Sequence, residues 1–506
     1  MLIYHNMLTK TVLGFKIIFN VKNLIQCVDE VSMKRYYLLI IYILSYCFAV
    51  TACISPPVRH AFNLLHTNSS VSATNGLTSH YYTQDSTGTT TQSSSDTFTS
   101  EQTDLGTDTI TGTTTSLNGS TSSRYATTST AAPTVTTTKT YPKPDTGKEM
   151  RTVWVSYIEL NNMLKNKSAG NARAVIDGIM ENAKSYGLNA VIFHVRANSD
   201  AYYKSKIFNS AAAVKTLIDT EGFDPLTYAV QAAHSRGLEL HAWVNPYRIG
   251  SSTSYAKCSD YFASGGKYYY NPASSAAQKL ILDGIDEIVR NYDVDGIQFD
   301  DYFYPDDENV IPESSPAAFE KSDYEGGISI GDWRRSHVSQ LIASTYSKVH
   351  NARKNCVFGV SPGSNLSHNY SKLYADIAAW IKQKGYVDYI CPQIYFGFLN
   401  KSQPFESTVN SWAAMNRHSS VRLYIGLALY KTGLITDTYA GDGKQEWATN
   451  DDIMKRSLLC VRENTACGGV MFFSYTYFNP SSQNDADRKM DVAIREVNNL
   501  LAVLRQ

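Results

Sequence analysis

Asp300 and Asp301 stand side by side at the end of the run Val294-Asp295-Gly296-Ile297-Gln298-Phe299-Asp300-Asp301-Tyr302. Repulsion between neighbouring carboxylates raises the pKa of one of them, so the pair keeps a proton available near neutrality. Glycoside cleavage asks for that combination: an acid for the leaving oxygen, and a negative group to stabilise an oxocarbenium-like centre. Adjacent aspartates also cap loops or bridge to an Arg. What favours chemistry here is their place, after an apolar strand-like run and before the aromatic residues Tyr302 and Phe303.

Further candidates follow other apolar runs. Arg196 and Asp200 come after one, Asn245 and Arg248 after another, and Gln393 and Tyr395 belong to a third. Arg and Asn suit paired hydrogen bonds to hydroxyl or carboxylate groups, although Arg196 could instead form a structural ion pair with Asp300. His241 shares a strand face with Trp243 and Asn245 and is included as a substrate contact. His194 reads as a core histidine with satisfied nitrogens. Trp243, Tyr302, Tyr395 and Tyr475 are expected to offer flat faces to sugar rings. Gly359-Val360-Ser361-Pro362-Gly363 fits the spacing of a nucleophile elbow, but that elbow needs an N–H on the residue after Ser, and Pro362 has none. No HExxH or Cys/His cluster is present, so the expectation is a reaction without metal or cofactor.

These side chains need a frame. Eight strand-like runs are predicted at Thr152–Tyr157, Ala190–Val195, Glu239–Asn245, Gly296–Asp300, Val357–Ser361, Tyr389–Tyr395, Leu423–Leu429 and Gly469–Ser474. Helical spacing of apolar residues separates several of them, at Thr227–Arg236, Ser275–Tyr292, Trp333–His350 and Ser371–Lys384. That alternation predicts a (β/α)8 TIM barrel, with chemistry at the C-terminal strand ends. An open doubly wound sheet is disfavoured because no glycine-rich phosphate loop follows the first strand. Strand alternation puts His194 with Arg196, Gln298 with Asp300, and Gln393 with Tyr395 on inward faces.

The folded region is expected over residues 147–506. Before it, residues 54–146 are dominated by Thr and Ser and predict a disordered tether, with a reach on the order of 50 Å. Met33-Lys34-Arg35, the apolar run to Val50 and the close on Thr51-Ala52-Cys53 read as a signal peptide over 33–53 with a lipidation site at Cys53. Residues 1–32 are then expected to be an upstream extension from a misplaced start. The formal net charge is zero, from 46 basic and 46 acidic residues, which speaks against nucleic acid as a partner. The expected setting is outside the cytoplasm, on a bacterial membrane through a lipid anchor.

Several runs together resemble the bacterial glycosyl-hydrolase-like 10 family. They are Arg151-Thr152-Val153-Trp154, His194-Val195-Arg196 through Asp200-Ala201-Tyr202-Tyr203-Lys204-Ser205, and His241-Ala242-Trp243-Val244-Asn245-Pro246-Tyr247-Arg248, then Asp295 through Pro305 and Cys391-Pro392-Gln393-Ile394-Tyr395. The resemblance covers about 150–500. It implies a (β/α)8 barrel and hydrolysis of peptidoglycan strands already stripped of stem peptides. It further implies that Asp300 and Asp301 are catalytic and that Arg196, Asn245, Gln393 and Tyr395 line the pocket. Gln298 stands where the family pattern has His, and Phe396 where it often has Trp. Because such glycans carry 2-acetamido groups, the expected mechanism has the acetamido oxygen attack the anomeric carbon, with Asp300 orienting it and Asp301 as general acid. A sugar-binding lipoprotein without turnover, or a hydrolase of another exported polysaccharide, are the competing readings.

Overall fold

The computed structural model describes residues 149–483 and 485–506. The expected signal peptide, Cys53 and the Thr/Ser tether lie outside the described residues. Eight parallel strands close into a barrel: β1 Met150–Val155, β2 Ala190–Arg196, β3 Glu239–Val244, β4 Gly296–Phe299, β5 Val357–Val360, β6 in two pieces (Tyr389–Ile390 and Gln393–Ile394), β7 Arg422–Leu427 and β8 Cys467–Phe473. Each strand pairs with the next, and β8 returns to β1 with Gly469 opposite Met150 and Phe473 opposite Trp154. All eight predicted strands are present. The sixth is interrupted at Cys391-Pro392, where proline removes a ladder donor.

Helices wrap the outside: α1 Tyr157–Leu164, α2 Ala169–Ser185, α3 Pro225–His234, α4 Ser275–Asn291, α5 Ile330–Ala352, α6 Leu366–Ser371, α7 Ile377–Lys382, α8 Phe405–Ala413, α9 Glu446–Thr449, α10 Ile453–Glu463 and α11 Met490–Leu504. Many start on a side-chain cap, such as Ser274 accepting from Ala277 N and Ser329 from Asp332 N. Their buried stripes, for example Ile281, Gly284, Ile285 and Ile288 on α4, meet the outward Val, Ile and Phe of the strands.

One predicted helix is corrected. Ser371–Lys384 is not continuous: α6 ends at Ser371, Tyr374 takes φ +53°, and α7 restarts with Asp376 capping Ala379 N. Tertiary structure overrides the spacing there, because the Tyr374 hydroxyl accepts from buried Arg334 at 2.7 Å.

Inside the barrel a second core is built from Trp154, Ile192, Trp243, Tyr389, Cys391, Tyr424 and Met471. Gln298 sits among them with no exposure. It accepts from Trp154 Nε1 at 2.5 Å, and its amide nitrogen lies 3.3 Å from the Tyr389 hydroxyl. The departure from the family pattern at Gln298 thus falls in the packed barrel. At the bottom, the His241 ring lies over Gly296, where a Cβ would come within 2.6 Å of Nδ1. That close approach is why glycine opens β4.

Two insertions rise from the C-terminal strand ends. After β3, Arg248–Gly250 joins a hairpin of Tyr261–Ser264 and Lys267–Tyr270 in a three-stranded antiparallel sheet. After β4, the chain from 301 to 329 is fastened by Glu320, which is fully buried and paired with Arg334 at 2.6 Å. Ser264 Oγ donates to Asp307 at 2.7 Å and ties one insertion to the other.

Candidate active site

β4 ends at Phe299, and the next two residues sit at the barrel rim with almost no exposure, 3% for Asp300 and 2% for Asp301. Asp300 continues the inward face of Gln298. Its Oδ2 accepts from Trp243 Nε1 at 3.1 Å, and its Oδ1 from Tyr302 N at 3.3 Å. Burial pushes the Asp300 carboxyl well above the usual carboxylate range and the Asp301 charge pushes the same way. The two donors and the more distant Arg248 oppose them. Burial and the neighbouring charge thus both favour a proton on the Asp300 carboxyl.

Aromatic rings enclose this pair. Trp243 stacks on His194 with centroids 3.6 Å apart and planes 11° from parallel. Phe473, at the end of β8, lies 6.4 Å from Trp243 and 5.8 Å from Tyr395. Tyr395 is close enough to both aspartates for their charges to raise its pKa, after burial as the main cause. Gln393 donates to Ser361 O at 3.0 Å, which orients its amide beside the end of β5.

Arg248 supplies positive charge. Its Nη2 donates to the Tyr157 hydroxyl at 2.9 Å and its Nε to Asn198 at 3.1 Å, with the guanidinium over the rings of Tyr157 and Tyr302 at 5.3 Å each. Burial works against its charge, but Tyr157, Tyr302 and Asp300 outweigh that cost. Asp200 lies behind it. Burial raises its carboxyl to about 6, against the pull of backbone N–H groups, Arg248 and Arg196.

His194 is a structural residue. Its Nδ1 accepts from Tyr157 N at 3.2 Å, which leaves Nε2 to donate to Asn245 Oδ1 at 3.2 Å. Burial, with Arg248 nearby, pushes its pKa well below the ordinary value, so the ring stays neutral. Asn245 is 1% exposed and spends its amide on this bond and on Ala197 O, so it acts on the site through His194 and Trp243.

Three expected contacts are not brought to the mouth. A bulge in β2 between His194 and Arg196 breaks the alternation. Arg196 turns outward, over the Phe208 ring at 4.5 Å and against α4 at Gly284. It forms no ion pair with Asp300. His241 lies two residues below Trp243, in the packed layer, bonded to Tyr389 and Glu239 with no exposure. Tyr475 follows the end of β8, where alternation no longer applies, and its hydroxyl accepts from Asn182 of α2 outside the barrel. Phe473, which precedes it on the inward face of Met471, occupies the place expected of Tyr475. Tyr157 and Phe473 are the site residues that the sequence reading passed over. Alternation through β8 could have found Phe473.

Ser361 is buried, and its Oγ has no hydrogen-bond partner among the described residues. Glu159, another carboxylate near the rim, is fully used by Ser156 N, Ser474 Oγ, Thr476 N and Thr476 Oγ1.

The family model for glycosyl hydrolase-like 10 matches residues 149–440. Glycosyl hydrolase YngK of Bacillus subtilis is 32% identical over 317 residues, 56% of this chain, and the match spans 61% of YngK's own length. Glycosyl hydrolase DigH of Escherichia coli is 30% identical over 388 residues, covering 67% of this chain and 86% of DigH. Among solved structures, the glycoside hydrolase domain of PgaB (BpsB) from Bordetella bronchiseptica aligns over 66% of this chain and 97% of that one, with 12% identity and a TM-score of 0.46. The chain belongs to the glycosyl hydrolase-like 10 family and is a glycoside hydrolase.

Proposed function

We propose that the enzyme hydrolyses the glycan strands of peptidoglycan after their stem peptides have been removed, and that Asp300 and Asp301 divide the work. The observation that carries this reading is the anchoring of Asp300 by Trp243 Nε1 and Tyr302 N inside a ring of Trp243, Phe473 and Tyr395. A carboxylate held on both oxygens is suited to orient an amide. The surrounding rings suit the acetamido methyl and the sugar face.

In the first step the acetamido carbonyl oxygen attacks the anomeric carbon while the glycosidic C–O bond breaks, and Asp301 gives its proton to the leaving oxygen. The acetamido N–H donates to Asp300, which favours its ionised form and sends its proton to Asp301. Water then attacks the anomeric carbon of the cyclic intermediate, giving up a proton to the Asp301 carboxylate, and the acetamido group is restored. Two displacements at one carbon retain its configuration. Neighbouring carboxylates suit this division better than a two-carboxylate displacement, where the groups stand about 5 Å or more apart across the bond.

We further infer that the protein works outside the cytoplasm, tethered to the membrane through a lipid on Cys53, on the strength of the charged, apolar and small-residue sequence before that cysteine. Incubating the purified protein with amidase-treated and untreated wall glycan, followed by mass analysis of released sugars, tests the substrate. Release mainly from the treated glycan is expected. Equal release from both would remove the preference for stripped strands.

A further inference from the structure

Behind Asp301 lies a polar residue that the mechanism has not used. Asn369 belongs to α6 and has no exposure. Its Nδ2 donates to Gly363 O at 2.7 Å, which fixes the amide orientation, since only the nitrogen can serve a carbonyl acceptor. Its Oδ1 is therefore a pure acceptor, and it is buried with no hydrogen-bond partner among the described residues. Burying an acceptor unpaired is costly, so such an oxygen calls for a donor.

Gly363 adjoins both that oxygen and Asp301. A Cβ built there would lie 3.5 Å from Asn369 Oδ1 and 3.9 Å from Asp301 Oδ2, and these are the neighbours it would meet. The glycine leaves a small space that both oxygens border. A carboxylate cannot donate across it, whereas a carboxylic acid can.

We propose that Asn369 is a positioning residue that accepts the proton of the Asp301 carboxyl and so favours its acid form. The inference rests on the reading of Asp301 as general acid and adds to it the group that keeps the acid charged with its proton. It also gives the two aspartates opposite surroundings. Asp300 meets donors, Trp243 Nε1 and Tyr302 N, which pull against the effect of burial and toward the carboxylate. Asp301 meets an acceptor, which favours the acid. Other charged or titratable groups are Arg248 on the Asp300 side, Tyr395 just after β6, and His368, the neighbour of Asn369 on α6, which lies 3.9 Å from Asp306.

The test is the pH profile of kcat/KM in two variants of the full chain, Asn369→Leu and Asn369→Asp. Leu has about the same bulk but no acceptor, so the alkaline limb moves to lower pH, by about half a unit to one unit. Asp adds a negative charge facing the carboxyl, so the limb moves to higher pH. A residue that only braces the loop at Gly363 would lower kcat in both and leave the limb in place, and that result overturns the proposal. Should neither variant fold, infrared spectra of the wild type against Asp301→Asn decide it. The carbonyl stretch of protonated Asp301 must appear at a hydrogen-bonded position, and a free-carboxyl position overturns the inference. Asp301→Asn also separates the two levels of the reading. If it keeps turnover and an alkaline limb, the general-acid assignment fails. If it loses both while Asn369→Leu keeps the wild-type limb, only the role of Asn369 fails.

Discussion

The indole nitrogen of Trp243 donates to Asp300 across 3.1 Å while the face of the same indole lies 3.6 Å from the ring of His194. One side chain thus links the barrel's structural histidine to the carboxyl at its rim. Trp243→Phe keeps an aromatic face and deletes the bond. Hydrogen bonds to charged groups contribute about 1.5–3 kcal/mol, so kcat/KM is expected to fall about 10- to 100-fold. Because the lost bond favoured the ionised form, the Asp300 pKa rises further and the acidic limb of the pH profile moves to higher pH. An unmoved limb in steady-state kinetics would detach Trp243 from Asp300.

Asp300 should lower stability at neutral pH. Its folded pKa lies above the unfolded value, so the fold favours the protonated acid. That contribution is complete below about pH 3.9 and is lost as pH rises toward the folded value. Asp300→Asn, neutral at every pH, escapes the loss. The variant is expected to unfold at a higher temperature than wild type at pH 7, with the difference closing near pH 4, as thermal melts across that range would show.

The chain after Asp301 depends on a pair far from the reacting bond. Glu320 and Arg334 are fully buried, and Arg334 also donates to Pro312 O, Ser315 O and the Tyr374 hydroxyl. Removing one partner leaves an uncompensated buried charge, at about 3–5 kcal/mol. Glu320→Ala is expected to destabilise by that order in denaturant titrations. Its residual activity should fall because residues 301–329 lose their fastening. A variant with wild-type stability would show the pair to be dispensable.

The eight strands were legible because their apolar runs are long and bounded, and the inward set from Gln298 to Asp300 followed from alternation alone. Arg196 was misplaced because a one-residue bulge after His194 leaves no mark in residue type yet turns the next side chain outward. Tyr475 was misplaced because the strand ends at Phe473, and a period of two has no meaning past that point. Asn369 was out of reach altogether. It lies on a short helix after β5, and what distinguishes it, an amide locked to Gly363 with its oxygen beside the same glycine as Asp301 Oδ2, is set by tertiary approach rather than by any local pattern.

The proposed lipid anchor has a direct assay. Cys53→Ala, expressed with residues 33–52 in place in a bacterial host fed labelled fatty acid, is expected to lose the label and leave the membrane fraction. Wild-type labelling or retention in the variant would remove the anchor from the account.

The division of labour between Asp300 and Asp301 is tested most directly by following the anomeric proton by NMR during cleavage of amidase-treated glycan by wild type, Asp300→Asn and Asp301→Asn. The account predicts retained configuration in the wild-type product and a loss of turnover on the order of 10³-fold or more in each variant. An inverted product, a glycosyl adduct trapped on a carboxylate, or near wild-type turnover in either variant would contradict it.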